Sequence, residues 1–429
     1  MEPLTGRLAI GRFEVEPGRS VHGELTVAGD KTQLYFRDDD FFHVGEQGAR
    51  AVRGVLHDLT RVTAIACNVS GPGSGWRNEE GFTYAHLFPH FVAHGDRHLD
   101  PDAEAIAKVT FRIADDACLF YQADIFSSLI DASPHIDPIV KAFEQIVERA
   151  VEKGDRPEIA FFSGKRSIFD AETVIGRVHA NNSAWSTVGG PRGVAIHNEI
   201  WCGLDYRAPV RLDTVTLDVL RLLRFFEIVV GRPQTLTELR VSPADIGEHE
   251  SPLRIHWSLG PERKPSFATR EEREPQPYDM LMQPADSPDP FAAVLTHWLA
   301  RDDAWLEARV RFSNCFAKQN RFGVDRIVAA ANMFDILPKD VVPAALELPA
   351  DLKEAAAAAR AAFKKLKKSD RRDSILNAIG RLGKAQLKAK IRYRAQIVID
   401  KLGERRFPDL MMVCDEAVDC RNHFVHGSD

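Results

Sequence analysis

A chain of 429 residues that is 44% hydrophobic and 28% charged has room for two or three domains, each able to bury a core, and is neither a fibre nor a disordered chain. No stretch approaches the ~18 uncharged apolar residues of a membrane-spanning helix. The Met1-Glu2-Pro3 start carries no basic-then-apolar signal, and the six cysteines follow no secreted-scaffold spacing, so a reduced, cytoplasmic protein is expected. The net charge of −6 hides an asymmetry. Residues 353–406 hold 17 Lys or Arg against 5 Asp or Glu, net +12, while the other 39 basic and 57 acidic residues leave −18 elsewhere. A polyanion such as RNA is the natural partner of a basic segment on an acidic body.

Residues 20–27, 61–69, 108–113, 158–162, 194–201 and 253–259 read as strands, because Val, Ile, Phe and Thr alternate or cluster there between Gly, Pro, Asp and Asn breaks. Apolar residues at three- and four-residue spacing predict helices over 138–152 and 212–230. Three prolines within 283–290 mark a boundary, so the expected domains are a β-rich one over 1–285 and a helical one over 286–429. Helices are expected over 291–301, 304–319, 324–337, 352–368, 374–402 and 408–425. The expected class is α+β, a β-rich domain followed by an all-α bundle.

Within 408–426, Leu410, Cys414, Ala417, Val418, Phe424 and Val425 fall on one helical stripe, the face expected to be buried. Arg421 lies in the middle of it, where a guanidinium needs a partner or a cleft. Asn422 and His426, four residues apart, share the edge of the stripe. The candidate RNA contacts upstream are Lys364, Lys365, Lys367, Lys368, Arg371, Arg372, Lys388, Lys390, Arg392 and Arg394.

Arg421-Asn422-His423-Phe424-Val425-His426 resembles the Arg-Asn-x-x-x-His signature of HEPN domains, many of which are metal-independent ribonucleases. Taken whole, the chain resembles the ApeA-type anti-phage proteins. That resemblance is carried by Phe13-Glu14-Val15-Glu16-Pro17-Gly18, Val21-His22-Gly23-Glu24-Leu25, Val52-Arg53-Gly54-Val55-Leu56 with Val62-Thr63, and Phe91-Val92-Ala93-His94-Gly95. It implies an N-terminal sensor or regulatory domain, answering a phage-derived trigger, that controls a HEPN-like helical ribonuclease in abortive infection. It also implies RNA, tRNA among the candidates, as substrate, no metal or organic cofactor, a homodimer or higher homo-oligomer pairing across the last helix, and a last helix running on past Asp429. His426 would serve as general base or acid, Arg421 would hold the phosphate, and Asn422 would orient substrate or imidazole. On an ideal helix Arg421 and His426 point ~140° apart, which a shared dimer cleft would reconcile.

Other readings compete. The motif could be an ordinary helix end capped by Gly427, the basic run a solvated face, and the chain a non-catalytic RNA-binding or dimerisation protein with a ligand-sensing β-rich domain. A six-residue step between Cys414 and Cys420 does not suit zinc, and the histidines at 86, 90, 94 and 98 read as scattered in strands and turns. The glycine-rich 71–75 and the 163–167 segment lack a phosphate-loop pattern and read as turns, as do the three aspartates at 38–40.

Overall fold

The computed structural model describes residues 4–40, 42, 49–71, 73–77, 80–129, 131–187, 193–247, 250–262, 275–316, 318, 323–343 and 348–427. They divide into a unit that closes at Ala300 and a unit that begins at Arg301. The class is α+β, as the sequence patterning predicts.

The first unit starts with β1 (Leu8–Glu16), β2 (Arg19–Thr26), β3 (Gln33–Asp38), β4 (Ala49–Leu56), β5 (Arg61–Val69), β6 (Gly73–Arg77) and β7 (Glu80–Gly95). The pairing order β7-β3-β2-β1-β4-β5 returns to β7, so six antiparallel strands close a barrel. Strict alternation in β2 turns Val21, Gly23 and Leu25 inward, where they meet Phe13, Leu34, Phe36 and Leu87. Small barrels have little interior room. A Cβ on Gly54 would stand 2.3 Å from the Phe13 ring and one on Gly23 2.7 Å from Phe36, so both glycines make space for the rings. Gly73 and Gly75, expected in a turn, lie instead in β6, where a Cβ would meet the rings of Tyr84 and Phe82 at 2.5 and 2.4 Å. Aromatic rings covering a glycine strand hold it in the sheet despite its poor propensity.

The remaining elements of this unit are β8 (Ile106–Ile113), α1 (Asp116–Leu119), β9 (Phe126–Leu129), α2 (Ser133–Val147), β10 (Ile159–Phe162), β11 (Ser167–Thr173), β12 (Gly176–Thr187), β13 (Ala195–Val210), α3 (Leu212–Val230), β14 (Leu236–Pro243), β15 (Leu253–Trp257) and α4 (Pro288–Ala300). The sheet β11-β12-β13-β8-β14-β15 joins the barrel through β7, and β9 pairs with β10 in a separate ribbon. Helix α3 spans the expected residues, buries Val215, Val219, Leu222 and Phe226, and ends where Gly231, at φ 83°, donates to the Glu227 carbonyl. Helix α2 begins five residues before the expected Pro138, which it carries inside its early turns.

The proline-marked boundary places helix α4 with the helical third, yet it packs on the β-rich unit. Its Phe291 ring meets Phe169 at 4.9 Å and Phe225 at 5.4 Å, and Leu295 and Leu299 are buried beside it. Burial of that apolar face moves the division from 285 to 300.

The second unit holds α5 (Asp302–Phe316), α6 (Val324–Asp335), α7 (Ala350–Lys364), α8 (Asp370–Arg381), α9 (Leu387–Leu402) and α10 (Leu410–His426). The single helix expected over 374–402 is two, broken at Gly383, whose φ of 78° no right-handed helix accommodates. A small cluster of Ala308, Leu337 and Val341 packs with Trp305 and Met333, and Arg309 donates to Asp302 at 2.7 Å within it. Among the described residues no helix is long and apolar enough to cross a membrane.

His94 on β7 is 4% exposed, and burial, with Arg254 and His256 of β15 nearby, depresses its pKa from 6.5 to about 4. Between those values the unfolded chain binds a proton that the folded chain refuses, so stability is complete above pH 6.5 and falls as the pH drops towards 4. His94 alone accounts for about 3 kcal/mol over that window. Urea denaturation across pH 4–7 is expected to give a shallower loss for His94→Leu than for wild type; equal slopes would remove this assignment.

Candidate functional site

The residues singled out on the last helix occupy its final turns. Helix α10 runs to His426, and Gly427, at φ 63°, donates its N–H to the His423 carbonyl at 2.9 Å, so the helix ends in the glycine cap of the competing reading instead of running on past Asp429. The apolar stripe is buried only in part. Val418 is 2% exposed, but Phe424 and Val425 are 54% and 44% exposed.

Arg421 turns towards α6. Its Nε and one terminal nitrogen donate to Oδ1 of Asn332 at 3.3 and 3.1 Å, and the other terminal nitrogen donates to Oδ1 of Asn422 at 3.0 Å. A guanidinium only donates, so both amides must present oxygen to it. Both of these acceptors are neutral amides, and they fix the orientation of the guanidinium. The structure thus brings Arg421 and Asn422 together; the side chain of His426 lies outside the described residues. Asn332 is absent from the sequence-derived set, since nothing local to α6 marks it as the partner of a residue 89 positions away. One to two turns back along α10, Val413, Cys414 and Ala417 join Ile327, Phe334 and Ile391 around an apolar cleft of 360 Å³. Burial pushes the Cys414 thiol up, as suits a residue of such a wall rather than a metal ligand.

The ten candidate RNA contacts fall into two groups. On α9, Lys388 pairs with Asp419 at 3.1 Å and Arg392 donates to Asp415 at 2.7 Å, both carboxylates lying four residues apart on α10, and Lys390 reaches Asp335 of α6 at 3.6 Å. The Arg392 guanidinium holds the Asp415 carboxyl below its ordinary range. Arg394 stands 5.9 Å from the centre of the Trp305 ring. Arg372 closes the end of α7 by donating to the carbonyls of Phe363 and Lys364 at 2.8 and 3.0 Å. Lys364, Lys365, Lys367, Lys368 and Arg371, by contrast, are exposed at the α7–α8 turn, with no carboxylate within 4 Å among the described residues. The acidic i, i+4 pair Asp415 and Asp419 on α10 is the legible signal that Lys388 and Arg392 are neutralised.

The histidines at 86, 90, 94 and 98 do not converge. His90 hydrogen-bonds Asn68 at 3.1 Å, His86 bonds Gln33, and His94 is buried. Among the described residues no three His, Cys, Asp or Glu side chains form a metal-ligand set.

Residues 9–298 match the family model of ApeA N-terminal domain 1. The chain belongs to this family. The matched span covers the barrel, the second sheet and α4, ending two residues before the first unit does, so the ApeA domain and that unit coincide. ApeA membership suggests an anti-phage defence protein. No curated protein and no solved structure matches the chain.

The Asn332–Arg421 contact makes a stability prediction. Replacing Asn332 by Ala removes the acceptor of two charge-assisted hydrogen bonds and is expected to destabilise the helical unit by about 1.5–3 kcal/mol in urea denaturation. An unchanged midpoint would mean that Asn332 does not hold Arg421.

Proposed function

We propose that this ApeA-type protein is a defence ribonuclease whose helical unit cleaves RNA by a metal-independent, HEPN-type reaction under control of the β-rich unit. The observation that carries this reading is Arg421, ordered by the amides of Asn332 and Asn422 five residues before His426 on the same helix. In the reaction the imidazole of His426 takes the proton of a ribose 2′-hydroxyl, whose oxygen attacks the adjacent phosphorus. The bond to the 5′-oxygen breaks, that oxygen gains a proton, and a 2′,3′-cyclic phosphate remains. Arg421 stabilises the charge that builds on the phosphoryl oxygens, and Asn422 keeps the guanidinium aimed.

The exposed cations at the α7–α8 turn would hold the RNA backbone through its phosphates, while Lys388, Lys390 and Arg392 on α9 are engaged by carboxylates. Because positions five apart on an ideal helix point ~140° apart, a homodimer across α10 would complete the cleft, and the exposed Phe424 and Val425 are apolar surface that a second copy would cover. A phage-derived signal would act on the β-rich unit. The exposed basic cluster would equally serve a non-catalytic RNA-binding protein, and the first experiment separates the two.

Wild-type protein incubated with total tRNA in EDTA is expected to yield cyclic-phosphate ends, and His426→Ala to yield none while retaining RNA in a filter assay. Infected-cell extract supplies the trigger, and RNA left intact in its presence would favour the binding protein. Replacing Lys364, Lys365, Lys367 and Lys368 together by Ala is expected to weaken RNA retention and to flatten its salt dependence by about 0.7 in log–log slope for each phosphate no longer engaged. An unchanged slope would put the RNA on another surface.

A further inference from the structure

We propose that the β-rich unit carries a binding site for a small planar nitrogen compound with two adjacent N–H donors, in the hollow between Asp116, Tyr121 and Asn198. The hollow has a volume of 230 Å³, and Phe126 and Ile200 form part of its apolar lining. That is below the ~300–1,000 Å³ of sites for drug-sized molecules, so the occupant is of ring size.

Its polar wall is oriented by a relay of amides. Asn182, 3% exposed, donates to the Lys165 carbonyl at 3.5 Å and to Oε1 of Gln122 at 2.7 Å. A backbone carbonyl accepts only, so the nitrogen of Asn182 is fixed there and its oxygen faces Asn198, which donates to it at 2.8 Å. The oxygen of Asn198 is thereby turned away; it is buried and has no hydrogen-bond partner among the described residues. An orphaned buried acceptor carries its desolvation cost uncompensated until a donor reaches it.

The second polar group of the wall is also an acceptor. Asp116, 7% exposed, is engaged through Oδ2 by Arg112 at 3.2 Å, and that guanidinium is shared with Glu199 at 2.9 Å. Burial raises the Asp116 carboxyl above its ordinary range, the sign of a carboxylate short of solvation. Asp116 and Asn198 both line the hollow and each brings an acceptor short of donors, so the occupant that satisfies them must donate, and the half-exposed Tyr121 ring offers a planar face to stack on. A guanine edge and a guanidinium share this chemistry. Occupancy would bear directly on α1 and β13 of the ApeA domain, and it does not depend on the ribonuclease reading, since binding is read without RNA.

The test is calorimetric titration of the full chain with guanosine, inosine and arginine amide. One donor-rich probe is expected to bind, guanosine about tenfold more tightly than inosine if the source is a base, or arginine amide alone if it is a guanidinium. Asp116→Asn and Asn198→Ala are each expected to weaken that probe about tenfold. Tyr121→Ala, at an exposed position that leaves the core intact, is expected to weaken it too, and the circular dichroism of every variant separates impaired binding from unfolding. Failure of all probes at millimolar concentration, or binding indifferent to the folded variants, overturns the proposal.

Discussion

The β5–β7 pair is the constraint on which the first unit depends. Both strands line the barrel with Val69, Leu87 and Cys67 on one side of a switch and with Val62, Ala64 and Val92 on the other, so the inward parity changes from odd to even while the register stays constant. A strand alternates faces strictly unless its backbone leaves the β region, and Ala66, at φ 51°, is where β5 does so. Past that point the opposite faces of the same strands, with Ile65, Phe91 and Ala93, belong to the core of the second sheet. One strand pair thus closes the barrel and serves as a wall of its neighbour, which gives β7 its 16-residue length and, beside β3, β5 and β6, a fourth partner in β15. Pro89 lies in mid-strand, where it lacks an N–H to donate, and its carbonyl accepts from Ser258 at 2.6 Å.

The helical unit is organised by charge more than by a core. Its buried cluster is small, and its order between helices owes much to α9 cations meeting α10 and α6 carboxylates. Exposed pairs of this kind contribute little stability each, but they decide which cations can meet a phosphate. Arg421 differs from its basic neighbours in that Asn332 and Asn422, which accept from it, are amides that hold its guanidinium in place. Amide relays recur in the ApeA domain, where Gln122, Asn182 and Asn198 orient one another around a hollow.

Several elements were legible from local pattern alone. The strand 61–69 and the helix 212–230 have the bounds that alternation and three-four spacing predict, because both periods are written in neighbouring residues. The last helix was legible for the same reason, though not its end at the Gly427 cap. The break at Gly383 was not, since the apolar rhythm on either side continues through it. The glycines of β6 misled because their partners, the rings of Phe82 and Tyr84, come from another strand.

By itself the sequence determined the α+β class, the order of a β-rich part and a helical part, the basic segment on an acidic chain, and the Arg421-Asn422-x-x-x-His426 constellation, since each is a property of composition or of spacing along one element. The tertiary structure alone decided that six strands close into a barrel, that α4 belongs to the β-rich unit, which of the ten cations stay exposed, and that Asn332 holds Arg421. Those outcomes turn on pairings between residues tens of positions apart, and distance along the chain carries no record of which faces will meet once burial and hydrogen bonding are satisfied together.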